Sequence, residues 1–186
     1  MVNMELVPDQ PDSPIANPKD QACSEEESKV WDLLADVLDP EVPALSVVDL
    51  GIIRKVTVDD AGFVTVAVTP TYTGCPATDM INAIIKAALH DGGYEDASIE
   101  TVLSPAWTTD WISEDARSKL KEYGIAPPVG AAPTGKAALL GISPEVLCPR
   151  CGSKSTERIS EFGSTACKAM YRCEACLEPF EYFKCI

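Results

Sequence analysis

Basic residues are scarce in this chain. Fifteen lysines and arginines stand against 29 aspartates and glutamates, a formal net charge of −14 over 186 residues. That balance excludes nucleic acid as a partner, because phosphates demand a basic face. It argues equally against an anionic membrane surface. No run of about 18 apolar residues occurs, so no transmembrane helix is expected. The opening stretch, MVNMELVPDQPDSPIANPKD, is acidic and proline-rich. It lacks the basic and apolar regions of a secretory signal, and its low hydrophobicity without periodicity reads as a disordered tail over residues 1–23. A cytoplasmic protein is the expectation. No helix carries the Glu-x-x-His pattern of a di-iron bundle, and no Gly-rich dinucleotide fingerprint is present. Histidine is reduced to one residue, His90.

Apolar residues and cysteine are plentiful. The chain is 46% hydrophobic, enough for a real core, and it holds eight cysteines. In a reducing compartment these read as thiols, metal ligands or reactive groups before disulfides. Their distribution is uneven. Residues 1–29 carry seven acids and two bases, and residues 30–144 sixteen acids and seven bases. Residues 145–186 carry six of each and hold six of the cysteines. This shift marks a module boundary. Proline and glycine place a linker at 125–144, between a domain at 24–124 and a module at 145–186.

The central part has clear periodicity. Ser24 and Glu27 have capping-box spacing. Val30, Leu33, Leu34, Val37 and Leu38 then share a helical face, and Pro40 predicts an end at Asp39. Two strands follow, Ile52 to Val58 and Phe63 to Thr69, joined by the turn DDAG. Met80, Ile81, Ile84, Ile85, Ala88 and Leu89 form the stripe of a second helix. A third strand spans Ser98 to Leu103. A last helix runs from Ser113, its N-cap, to Tyr123, with Gly124 as its stop. The order helix, strand, strand, helix, strand, helix predicts a small α+β domain with its own core.

In TPTYTGCPATDM, Cys75 precedes Pro76, and Pro76 suits the first helical position. Cys75 would then stand at or beside the N-cap, where the helix dipole favours a thiolate. Two readings stand: a reactive or metal-binding thiol, and a small buried residue that only packs. A cysteine nucleophile usually needs a base. His90 lies about 22 Å along the same helix at the helical rise, so it suits the helix C-terminus and not Cys75. A Ser–His–Asp or Cys–His hydrolase is not expected. From spacing alone, Asp39, Glu41 and Asp49 are either metal ligands or solvated loop residues.

The stretches DPEVPALSVVDLGII, TPTYTGCP and SPAWTTDWISEDARSKL, in that order, resemble the MIP18 family, which includes iron–sulfur cluster assembly factors. The resemblance covers Ser24 to Tyr123. It implies that Asp39, Pro40 and Glu41, then Asp49 and Gly51, then Thr71 and Cys75 lie near one another, with Cys75 as a functional thiol. It implies an assembly or targeting role and no particular reaction.

The C-terminal module carries an independent signal. Cys148 and Cys151 form one C-x2-C pair, Cys173 and Cys176 another, with twenty-one residues between them. This is close to zinc-ribbon spacing. Four thiolates would close the shell around a structural metal, which a module this short needs as a staple. Zinc is the expected ion; an iron–sulfur site is the alternative. Cys167 and Cys185 are left over, as substitutes for a ligand or as packed thiols. A neutral ribbon on an acidic chain suits protein docking.

The combination, with FGSTACKAMYRC and EPFEYFKCI in the tail, resembles the D-type subunits of phenylacetyl-CoA epoxidase, a family that accompanies the ring-1,2-epoxidase of aerobic phenylacetate degradation. The resemblance implies oxygenase and reductase subunits as partners and transient handling of iron or an iron–sulfur cluster. It leaves three roles open: assembly factor, stoichiometric structural subunit, or an enzyme using Cys75 on a thioester or persulfide. Homo-oligomerisation is left open too.

Overall fold

Ser24 opens the first helix with a reciprocal cap. Its hydroxyl accepts the Glu27 amide at 3.1 Å, and the Glu27 carboxylate accepts the Ser24 amide at 3.2 Å. The computed structural model describes residues 24–72, 74–130 and 144–185. The expected N-terminal tail and residues 131–143 of the expected linker lie outside the described residues.

Helix α1 (Glu25–Ala35) buries Val30, Trp31 and Leu34. It ends four residues before Asp39, earlier than Pro40 alone suggests. The cause is tertiary: Val47 donates its amide to Val37, Asp39 donates to Leu45, and Leu38 bridges Ser46. The backbone after Ala35 thus pairs with residues 45–47, and Leu38 turns outward, 52% exposed.

Strands β1 (Ile53–Val58) and β2 (Val64–Val68) form an antiparallel pair. Asp59 closes their turn by accepting the Ala61 and Phe63 amides, both at 2.9 Å. Val64, Val66 and Val68 alternate inward, as their period predicts. Helix α2 (Thr78–Asp91) lays Ile81, Ile85 and Leu89 on the core and crosses to β3 (Ala97–Thr101), which pairs parallel with β2. The sheet order is β1-β2-β3. A short 3-10 turn, Thr109–Trp111, leads to α3 (Glu114–Tyr123). Ser113 caps α3 through the Ala116 amide at 3.1 Å, and Gly124 stops it at φ +98°.

The expected linker does not begin at Ile125. Ile125 and Ala126 form β4, which pairs parallel with β7 (Pro179–Phe183) of the C-terminal module. With β5 (Thr156–Ser160) and β6 (Lys168–Cys173) the second sheet runs β4-β7-β6-β5. The domain therefore lends a strand to the ribbon.

The ribbon returns side chains to the domain. Cys167 and Phe183, 5% and 1% exposed, belong to the same hydrophobic core as Val30, Ile85 and Trp107. The Trp107 and Phe183 rings lie 6.3 Å apart, and Trp107 donates its indole N–H to the Leu50 carbonyl at 2.9 Å. Lys168, 3% exposed, pairs with Glu181 at 3.1 Å and donates to the Glu41 carbonyl at 3.1 Å. The domain's core is thus shared, not its own. Phe183→Ala should cost ~3–5 kcal/mol through lost transfer energy and the cavity left behind. Urea unfolding followed by tryptophan fluorescence should show one transition, shifted as a whole. Two transitions, with only the second affected, would show that the core is not shared.

Candidate metal centre and thiol pocket

The two C-x2-C pairs converge from opposite ends of the ribbon. Cys148 and Cys151 lie on a tight turn that Gly152 closes at φ +72°, donating its amide to Cys148. Cys173 ends β6, and Cys176 lies in the turn before β7. The four Sγ atoms all lie within 4.8 Å of one another. Cys148 and Cys176 are 3.8 Å apart, Cys151 and Cys173 3.6 Å. A tetrahedron with metal–sulfur bonds of about 2.3 Å has edges of about 3.8 Å, so the donor set fits a four-coordinate ion. The Cys176 amide donates to Cys173 Sγ at 3.5 Å and leads the effects that hold this thiol down to about 6. All four positions are sulfur, so the shell has no open site for a substrate.

Cys185 stays out of the cluster. Its sulfur bonds the Val129 and Gly130 carbonyls, at 3.4 and 3.2 Å, and the Tyr182 hydroxyl at 3.2 Å. Cys167 lies elsewhere as well, in a second site.

That site is a cavity of about 30 Å³ where the domain meets the ribbon. Asp39, Glu41, Thr71 and Cys75 line it from the domain, Cys167 and Phe183 from the ribbon. Four residues singled out in the sequence are thus brought together, and Cys167 joins them. Cys75 is not beside the helix cap. Its amide bonds the Tyr72 carbonyl at 3.2 Å and its carbonyl accepts the Thr78 amide at 3.1 Å, so residues 72–78 form consecutive turns. Helix α2 starts at Thr78, with Ala77 as an N-cap lacking a side-chain bond. Pro76 therefore sits in a turn ahead of the helix. Burial and the hydrogen bond to Cys75 push the Tyr72 phenol up to about 12, so it stays protonated beside the sulfur.

The carboxylates occupy a folded loop. Asp39, 5% exposed, accepts the Glu41 and Val42 amides at 2.8 and 2.7 Å. Burial raises its pKa, and these two bonds oppose the rise. Burial, then the charge of Asp39, raises Glu41. Burial likewise raises the Cys167 thiol, against a 3.0 Å contact with the Thr165 hydroxyl. Asn82 also lines the cavity; its buried Oδ1 has no hydrogen-bond partner among the described residues.

Asp49 is occupied elsewhere. It exchanges bonds with Ser46, both at 3.0 Å, and pairs with Lys119 of α3 at 2.9 Å. It lies outside the cavity lining. Gly51 serves the fold: at φ +67°, an added Cβ would come within 3.0 Å of Trp111. His90, in the last turn of α2, faces solvent beside Asp91. Cys167 was open to sequence reasoning only as an unassigned thiol, and Tyr72 and Asn82 carried no signal beyond their neighbours.

The raised Asp39 pKa has a testable sign. Below the ordinary carboxylate value Asp39 is neutral whether folded or unfolded. As pH rises through its raised folded value the unfolded chain has already released its proton, and stability falls. Asp39→Asn keeps the acceptor oxygen and removes the charge. At pH 7 it should raise stability and Tm relative to the native chain. The advantage should vanish near pH 3. Equal melting temperatures at both pH values would contradict the burial account.

Fold and site together define a class: a small α+β domain completed by a four-cysteine ribbon. Residues 27–101 match the model of the iron–sulfur cluster assembly protein family, and residues 132–184 match that of the PaaD zinc beta ribbon domain. The chain is 50% identical over 158 residues to the Escherichia coli protein described as the D component of 1,2-phenylacetyl-CoA epoxidase, covering 85% of this chain and 92% of that one. It belongs to the family of D-type subunits of phenylacetyl-CoA epoxidase. It is also 39% identical over 85 residues to the Fe-S protein maturation auxiliary factor SufT of Staphylococcus aureus, 45% of this chain and 96% of that one. A crystal structure of a DUF59 domain from Bacillus anthracis matches 51% of this chain and 91% of its own, at 28% identity and a TM-score of 0.49. No helix among the described residues is long and apolar enough to cross a membrane.

Proposed function

We propose that this chain is an accessory protein of the phenylacetyl-CoA ring-1,2-epoxidase system. It assists the loading or upkeep of iron or iron–sulfur cofactors in the partner oxygenase and reductase, and it does not itself oxidise the ring. One observation carries this reading. On a domain of the assembly family, Cys75 shares a cavity with two carboxylates and a second thiol, beside a protonated tyrosine. Soft sulfur and hard oxygen at one place suit iron in transit. The ribbon ion, zinc in this reading, would be held by Cys148, Cys151, Cys173 and Cys176. Zinc supplies a structural cross-link there, and the sulfurs hold β5, β6 and β7 in register.

A structural role in the complex is the second reading. Ile159, Phe162 and Leu177 of the ribbon are 56%, 62% and 72% exposed, apolar surface that a stable complex would cover. A cysteine-dependent enzyme is less supported, since His90, the one histidine, leaves Cys75 without an imidazole base. Stoichiometry separates the first two. Substoichiometric amounts present only during synthesis of the epoxidase should suffice for full activity. Retention at a fixed ratio in every active complex would favour the structural role.

A further inference from the structure

Arg54 sits where the β1–β2 ladder slips. Ile53 pairs with Val68 and Lys55 with Ala67, so the residue between them has no partner across the strands. A bulge of this kind re-aims its side chain, and β1 is an edge of its sheet. The Arg54 guanidinium lies 3.6 Å from the centroid of the Trp111 ring. That ring is a fixed platform. Trp111 closes the 3-10 turn Thr109–Trp111, its amide bonds the Thr108 carbonyl at 3.1 Å, and Gly51 lies against it. The other four arginines each pair with a glutamate: Arg117 with Glu114, Arg150 with Glu178, Arg158 with Glu161 and Arg172 with Glu157. Arg54 has no hydrogen bond or ion pair among the described residues. It is half-buried, and burial lowers its pKa with no carboxylate beside it to oppose the change. On a chain with 29 acids, this is a partly desolvated donor fork held open.

We propose that Arg54, stacked on Trp111, is a docking anchor for a carboxylate, an aspartate or glutamate side chain of a protein partner. A single planar fork matches one carboxylate bidentately. A phosphate-rich ligand needs several cations together, and a net charge of −14 repels it. A second copy of this chain carries the same −14 and is repelled as well. The ring holds the guanidinium in one orientation, so little rotamer freedom is lost when the acid arrives. Arginine and tryptophan are also the side chains that most often anchor interfaces. Arg54 and Trp111 lie outside the lining of the thiol cavity. The anchor therefore holds a partner without occupying the Cys75 site. This inference rests on the accessory role, which it deepens by naming a contact with the oxygenase or reductase.

The test uses the full-length protein, with Tm confirming the fold of each variant. Iodide quenching reads the guanidinium directly. Trp31 and Trp107 are 1% and 4% exposed, so the part-exposed Trp111 carries the quenchable fluorescence. Arg54→Gln should cut quenching by iodide and leave quenching by neutral acrylamide at or above the native level. Equal iodide quenching in both proteins would overturn the open guanidinium. Binding to the purified oxygenase and reductase subunits is the second readout. Arg54→Gln should weaken it by about tenfold or more. Arg54→Lys then finds the acid, because it sets a primary amine at the anchor. A carbodiimide joins such an amine to a touching carboxylate as an amide, the reagent leaving as its urea. Residue 54 of this variant should link to an aspartate or glutamate of one subunit. Native protein should give no such link, with the exposed Lys55 as internal control. If Arg54→Gln binds both subunits as tightly as native protein, or residue 54 links to neither, the anchor is wrong and the loading role still stands. A link only between two copies of this chain would overturn the choice of partner. If residue 54 links as described but partner iron content does not depend on this protein, the loading role fails and the anchor stands.

Discussion

Cys148→Ser is expected to strip the ribbon of its ion and to lower the melting temperature of the entire chain by roughly 10 °C or more. Serine offers a hard, protonated oxygen where the ion needs a thiolate, so three ligands remain of four. If the cluster holds an ion, the ribbon should depend on it. Its own hydrophobic cluster is Ala126, Val146, Ala169, Tyr171, Phe180 and Tyr182 with Cys148 and Cys173, and two of these eight belong to the four-cysteine group. Metal binding and folding are coupled in such modules, at about 10–16 kcal/mol for small zinc domains. The loss then spreads, because β7 carries Phe183 into the main core and β4 ties α3 to β7. Elemental analysis of the native protein should give about one zinc per chain and of the variant none, with the near-ultraviolet signal of Trp107 weakened. A brown native protein with iron and labile sulfide would overturn the zinc assignment. A variant whose domain melts at the native temperature would show that the ribbon is only tethered.

Cys75→Ser should do the opposite: leave the fold intact and abolish function. The side chain is half-buried in a turn, it caps no helix, and serine keeps its size. Stability should change by no more than ~1 kcal/mol. Serine removes the soft nucleophile and ligand, and the iron delivered to the partner oxygenase should fall at least tenfold, about 1.4 kcal/mol in the step it serves. Alkylation checks the premise. Cys148, Cys151, Cys173 and Cys176 should be shielded by their ion and Cys167 by burial, so iodoacetamide should label Cys75, read peptide by peptide against Cys185 and Cys23. Labelling of Cys75 only after denaturation would make it a packing residue. Full epoxidase activity with the serine variant would shift the role to Asp39 and Glu41.

What could be read from the sequence was local. Ser24 and Glu27, Ser113 and Gly124, and the alternation of Val64, Val66 and Val68 each report on a few neighbouring residues, and those features hold. The cluster of Cys148, Cys151, Cys173 and Cys176 was legible because a C-x2-C turn sets the spacing of two sulfurs without help from the rest of the chain. The end of α1 was not legible, because residues 45–47 compete for its backbone. The start of α2 was missed because Pro76, which suits a first helical position, equally suits the turn it occupies. Asp49 and Cys167 are the clearest cases. Lys119, seventy residues away, holds the first away from the cavity, and the docking of Lys168 and Phe183 brings the second into it. Both are long-range facts that no periodicity encodes.

The central claim is that this chain supplies or maintains iron in the epoxidase. The most direct measurement is the iron content of the purified oxygenase and reductase after expression with and without it, under limiting iron, with Cys75→Ser as a third arm. The loading account predicts full iron with the native chain and a comparable deficit in its absence and with the serine variant, while the amount of folded partner protein stays the same. Equal iron in all three arms, with activity lost only when the chain is missing from the final complex, would contradict it.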